Sequence, residues 1–227
     1  MGRTCAQDQA GSTRGTFLHA IRYAIRYAIR LAIRFAVPVP IHCPLMTPDS
    51  TQTRCLIRSS RAADVPAMAA IYADAVLTGT GSFETEAPAE SELARRRDEV
   101  LAKGLPWLVA QTAGEVLGYA YATPFRPRHG YRYCLEDSVY LHHGARGQGL
   151  GRLLLAELLA RCTALGARQM LAVVGDSANE ASVALHRSLG FEVAGQFSNI
   201  GRKFDRWLDV VMMQRALGAG NSLPPDA

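Results

Sequence analysis

The chain has 227 residues, 48% of them hydrophobic and 20% charged, with five cysteines and a formal charge of +5. That length suits one domain with room for an appendage, and so apolar a composition beside ordinary charge excludes a wholly disordered chain. The basic excess first suggests a polyanionic partner. However, residues 1–46 hold six arginines (Arg3, Arg14, Arg22, Arg26, Arg30, Arg34) against one acid, Asp8, and the rest of the chain is charge-balanced. No nucleic-acid partner is therefore expected.

Residues 20–35 read AIRYAIRYAIRLAIRF, a near-perfect four-residue repeat. An arginine at every fourth position excludes a transmembrane span, and no uninterrupted apolar run marks a secretory signal. Three readings stay open: an interfacial amphipathic helix, an organellar transit peptide, or translated upstream sequence with the native start at Met46. On each of them residues 1–52 form a leader outside the domain, and the folded domain itself is expected to touch no membrane.

From there the chain alternates between periods of two and of 3.6. Cys55–Arg58 reads as a strand and Asp64–Val76 as a helix, with Asp64 as N-cap and Pro66 in its first turn. A loop over Leu77–Ala87 precedes a charged helix, Ala89–Ala102. Trp107–Gln111 and Val116–Thr123 read as a hairpin turned at Ala113-Gly114-Glu115. An irregular crossing rich in arginine and aromatics, Pro124–Tyr133, leads to a strand over Leu135–Leu141. The helix expected over Gly149–Leu165 places Leu150, Leu153, Leu154 and Leu158 on one face. A strand over Gln169–Val174 and a helix over Asn179–Leu189, closed by Gly190, come next. Strands over Phe191–Ala194 and Trp207–Gln214 finish the domain, and Ala216–Ala227 reads as a frayed tail. This order predicts an α/β fold, one domain over residues 53–217 with a mixed central sheet flanked by helices, and a disordered tail over 218–227. The cysteines lack CxxC or zinc spacing. Their odd number without a secretory signal points to a reducing, cytoplasmic compartment, and no metal site is expected.

The most informative segment is Arg146-Gly147-Gln148-Gly149-Leu150-Gly151, which follows a strand and opens a leucine-rich helix. Glycines let backbone N–H groups approach an anion unobstructed, and a helix N-terminus adds its dipole, so a pyrophosphate is the natural guest. A dinucleotide site is disfavoured because the glycine spacing is wrong, and a Walker lysine is missing. The segment resembles the R/Q-x-x-G-x-G/A acetyl-CoA pyrophosphate loop of the GNAT superfamily of N-acetyltransferases. The neighbouring EDSVYL (136–141), NEASVALHRSLGF (179–191) and GRKFDRWLDVVMMQ (201–214) are similar to its phosphinothricin and methionine-sulfoximine N-acetyltransferase branch. The resemblance runs from Arg54 to Leu217 and leaves the leader unmatched.

The resemblance implies a GNAT-type domain, commonly homodimeric, in which a small amino-acid-like amine attacks acetyl-CoA directly. It implies that main-chain groups of Val139, Tyr140 and Leu141 bind the pantetheine arm, and that Arg146 to Gly151 hold the pyrophosphate. Glu136 matches the branch's general base, and strand alternation puts it on one face with Ser138 and Tyr140. The alternative is a carboxylate paired with a nearby arginine. Asp137, on the other face, is the weaker candidate. His186 stands where the wider superfamily has a tyrosine acid, so its role is open between acid, base and substrate ligand, and packing alone is the other reading. It lies on one helix stripe with Asn179, which can both cap the helix and bond the cofactor. Phe83, Lys203 and Phe204 match positions around the acceptor pocket, while Arg126, Arg132 and Tyr133 offer groups for a substrate carboxylate.

Overall fold

The computed structural model describes residues 55–224. The arginine-repeat leader and the last three residues lie outside the described residues. Seven strands form one sheet: β1 (Leu56–Ser59), β2 (Trp107–Thr112), β3 (Glu115–Pro124), β4 (Cys134–Leu141), β5 (Gln169–Gly175), β6 (Glu192–Lys203) and β7 (Arg206–Ala216). Their order in the sheet is β1-β2-β3-β4-β5-β7-β6. Every pairing is antiparallel except β4 with β5. Four helices accompany them: α1 (Val65–Thr78), α2 (Glu90–Ala102), α3 (Leu150–Ala164) and α4 (Glu180–Ser188).

The β2 sequence Trp107-Leu-Val-Ala110 is apolar throughout because both of its faces are covered. Trp107 and Val109 pack with Met68, Ile71 and Val76 of α1 and with Leu93 and Val100 of α2. Leu108 and Ala110 pack on the other face with Leu154, Leu155, Leu158 and Leu159 of α3. Asp64 does precede α1, but its carboxylate accepts from Arg58 at 2.7 and 2.8 Å and from the Arg61 N–H at 2.7 Å instead of capping that helix.

Three local expectations are corrected. Leu153 is 43% exposed, because at 100° per residue it points away from the stripe of Leu150, Leu154 and Leu158. Leu217, the last residue of the expected domain, is buried in the core on the α3 side, so the chain is not frayed from Ala216 onward. β6 runs nine residues past Ala194, to Lys203. Its Gly195, Asn199 and Gly201 read as loop punctuation, yet they fall at two register shifts against β7, where bulges absorb them. The turn that joins β6 to β7, Phe204-Asp205, has φ of 50° and 58°, the double left-handed conformation of a tight hairpin.

Candidate active site

The one parallel pairing is short. Cys134–Asp137 pair with Gln169–Ala172, and there the ladder stops, although β4 continues to Leu141 and β5 to Gly175. A gap opens between the two strands beyond Asp137. On its other edge β4 stays paired with β3, and the bond from the His142 N–H to the Leu117 carbonyl (2.9 Å) fixes which residues face which way. By antiparallel alternation the main-chain groups of Ser138 and Tyr140 turn to β3, and those of Val139 and Leu141 turn into the gap. Tyr140 is thus corrected: its main chain is committed to the sheet. Its ring packs edge-on against Tyr72 at 4.9 Å and near Tyr119 at 5.3 Å.

At the mouth of the gap a 3-10 turn, His143–Ala145, leads into the glycine loop. Gly147 and Gly149 have φ of 75° and 80°, and a Cβ on either would meet nothing within 4 Å. The left-handed backbone requires glycine there, and the space beside it is open. No side chain caps α3, and its first backbone bond is Leu153 N–H to the Gly149 carbonyl, which leaves the preceding N–H groups directed outward. Gln148 Nε2 donates to the Gly144 carbonyl at 2.8 Å and so braces the loop. Arg146 is exposed, 3.5 Å from Asp74 Oδ2. Leu150 is buried, and a Cβ at Gly151 would lie 3.3 Å from Leu141 and Leu185, so these two residues seat the helix end against β4 and α4.

Glu136 is half-buried on the same face as Ser138 and Tyr140, as alternation requires. Burial raises its pKa, the neighbouring Asp137 charge adds to that, and the Arg126 guanidinium opposes it. Asp137 faces the other side of the sheet, where sequence reasoning found no partner for it. There its Oδ2 lies 3.0 Å from His186 Nε2, while His186 Nδ1 lies 2.7 Å from the Ser182 carbonyl. His186 is only 4% exposed and meets the edge of Phe191 at 5.0 Å. The histidine points inward, and Asn179 Oδ1 accepts from the Ser182 N–H at 3.2 Å as a helix cap.

The acceptor-side residues separate into two groups. Phe83 rests over the β5 and β6 glycines: a Cβ at Gly201 would sit 2.1 Å from its ring and one at Gly175 3.0 Å. The buried Lys203 Nζ donates to the Gly79 and Ser82 carbonyls, each at 2.8 Å, and holds the Phe83 loop to β6. Phe204 is exposed at the hairpin tip, its ring 5.1 Å from that ammonium. Arg126 stacks over Phe125 at 4.8 Å and bears on Glu136. Arg132 stacks over Tyr133 at 4.4 Å, and the Tyr133 carbonyl accepts from the Arg168 and Gln169 N–H groups. Both therefore sit at the closed end of the β4–β5 pair, away from the gap.

Among the described residues, no group of three or more His, Cys, Asp or Glu side chains is placed to hold a metal ion, and no helix is long and apolar enough to cross a membrane. The arrangement offers an anion site, a cleft lined by free main-chain groups and a half-buried carboxylate.

The family model described as Acetyltransferase (GNAT) family matches residues 68–191. A phosphinothricin N-acetyltransferase from Alcaligenes faecalis is 50% identical, over 79% of this chain and 95% of its own. An L-methionine sulfoximine/L-methionine sulfone acetyltransferase from Pseudomonas aeruginosa is 45% identical, over 74% of this chain and 98% of its own. The crystal structure of a phosphinothricin acetyltransferase from Sinorhizobium meliloti, in complex with AcCoA, superposes with a TM-score of 0.74 at 46% identity, covering 76% of this chain and 93% of that one. Fold, glycine loop and relatives agree: the chain belongs to the acetyltransferase (GNAT) family.

Proposed function

We propose that residues 53–217 form an N-acetyltransferase domain that moves an acetyl group from acetyl-CoA to the amino group of a small amino-acid-like substrate of the phosphinothricin, methionine sulfoximine or methionine sulfone type. The observation that carries this reading is the gap between β4 and β5, which runs from the anion-binding end of α3 to the neighbourhood of Glu136. These features fit acetyl-CoA. The outward N–H groups of the Arg146–Gly151 loop suit its pyrophosphate, and the gap-facing main-chain groups of Val139 and Leu141 suit its pantetheine amides. Acetyl-CoA supplies the acetyl group as an activated thioester open to direct attack by the amine.

Glu136 accepts the proton of the attacking amine, directly or through a water. A carboxylate with a raised pKa is a stronger base. Because the Arg126 charge favours the ionised form, Arg126→Ala is expected to raise the Glu136 pKa further. The acid limb of kcat/KM against pH should move to higher pH. A limb that stays in place separates Arg126 from Glu136.

Phe83 forms one wall of the acceptor pocket. Gly201→Ala drives a methyl into its ring, so KM for the amine is expected to rise about tenfold while KM for acetyl-CoA holds. Steady-state kinetics with each substrate varied in turn separates the two.

The working protein is a cytoplasmic homodimer in this reading. A second copy would cover the exposed apolar side chains Val193, Phe197, Ile200 and Trp207 on the β6–β7 hairpin. Thiol release from acetyl-CoA with a panel of amines tests the activity. Turnover with the amino-acid-like amines is expected. A preference for polyamines or aminoglycosides overturns the substrate class, and tight acetyl-CoA binding without turnover of any amine marks a non-catalytic acyl-CoA-binding module.

A further inference from the structure

Inside the sheet, at the point where β4 and β5 part, the chain buries a carboxyl–imidazole pair. Asp137 is the last β4 residue on the parallel ladder, opposite Ala172. Its side chain reaches His186 on α4, the helix that follows β5. Both residues are buried, at 6% and 4% exposure. A carbonyl oxygen only accepts, so the contact with Ser182 O puts a proton on His186 Nδ1, and Nε2 shares a second proton with the Asp137 carboxyl group. Both ring nitrogens are thus spent on the protein. Burial by itself would lower the His186 pKa, but the Asp137 hydrogen bond and charge, with the Ser182 carbonyl, outweigh it and raise it.

This pair is an expensive way to fill a core. Asp137 Oδ1 is buried without a hydrogen-bond partner, and isosteric apolar residues at such a site are often neutral or stabilising. What the pair does supply is direction. It joins β4 to α4 across the branch point, where two parallel strands in register would otherwise continue pairing and close the gap onto Val139 and Leu141.

We propose that Asp137 and His186 act as a tie that holds the β4–β5 gap open for the pantetheine arm, and that His186 is a positioning residue and not a proton donor. This inference rests on reading the gap as the acetyl-CoA cleft, so its test measures acetyl-CoA binding apart from turnover.

The experiment compares wild type, Asp137→Asn, Asp137→Ala, His186→Ala and the double alanine variant in the full chain. Calorimetric Kd for acetyl-CoA, kcat at saturating acetyl-CoA and Tm are read for each. Both alanine variants are expected to raise Kd about tenfold, and Asp137→Asn, which keeps an acceptor oxygen, by less. The double variant should lose no more affinity than either single, because the two residues act as one unit. kcat at saturation should stay within about threefold of wild type in His186→Ala, which leaves the Asp137 charge beside Glu136 in place.

Three results overturn the proposal. A kcat loss of about a hundredfold or more in His186→Ala with Kd unchanged makes His186 a proton donor. A lowered Tm with Kd and kcat both intact makes the pair structural only. Additive losses in the double variant deny that the two act together. Should an alanine variant fail to fold, the near-isosteric Asp137→Asn still separates a loss of acetyl-CoA affinity, which supports the tie, from a lowered Tm alone, which overturns it. Wild-type protein that does not bind acetyl-CoA defeats the underlying reading of the cleft, a result visible before any variant is made.

Discussion

Replacing Glu136 by glutamine is expected to lower kcat by about 10²–10⁴-fold, the usual worth of a positioned general base. That range corresponds to about 3–5 kcal/mol of transition-state stabilisation. Glutamine keeps the shape of the side chain and its place among Ser138 and Tyr140, so the sheet and its face are preserved. What it loses is the ability to take a proton. The raised pKa of Glu136 comes first from burial and then from the adjacent Asp137 charge, and both make the ionised carboxylate hungrier for that proton. Acetyl-CoA binding should survive the change, because the groups that suit the cofactor are main-chain atoms of Val139 and Leu141 and the end of α3. Stopped assays from pH 6 to 9 with calorimetric binding decide the matter. A variant that matches wild type in rate across that range shows that Glu136 is not the base.

Gly149→Val is expected to weaken acetyl-CoA binding about a hundredfold. Valine at φ of 80° carries about 1–2 kcal/mol of backbone strain. Its side chain would also fill the open space beside the loop, where the anion's hydrogen bonds, each worth about 1.5–3 kcal/mol, have to form. Gly166, in the turn after α3, supplies the control. It has φ of 84° and faces open space equally, but at the opposite end of the helix. Gly166→Val should therefore lose stability and keep its acetyl-CoA affinity, as thermal melts with and without acetyl-CoA would show. Equal affinity losses in the two variants would count strain alone as the cause and remove the anion site from Gly149.

The parts of the fold written in local periodicity were legible from the chain. The apolar run of β2, the leucine stripe of α3 and the glycine loop between β4 and α3 each carry their signal within a dozen residues. β6 was cut short because Gly195, Asn199 and Gly201 mimic a loop, and only pairing with β7 shows that bulges accommodate them. Glu136 could be placed on its face by counting along β4. Its raised pKa could not, because the effect depends on burial and on Arg126 across an irregular crossing. The Asp137–His186 contact spans 49 residues of sequence and the Lys203 contacts with Gly79 and Ser82 more than a hundred. Neither has a sequence signature. In both cases a residue type that suggested ligand chemistry is occupied by the protein itself.

The sheet is in effect two antiparallel ribbons, β1 to β4 and β5-β7-β6, sewn together by four rungs. In the proposed function, donor recognition belongs to the first ribbon, through β4, the glycine loop and α3. The seat of Phe83, built from Gly175 and Gly201, belongs to the second. Such a division of labour lets the amine side of the enzyme be re-cut by substitutions on one ribbon while the acetyl donor's grip on the other is left alone. A single donor can thereby serve many acceptors on this architecture, with the seam as the fixed edge along which the two are aligned.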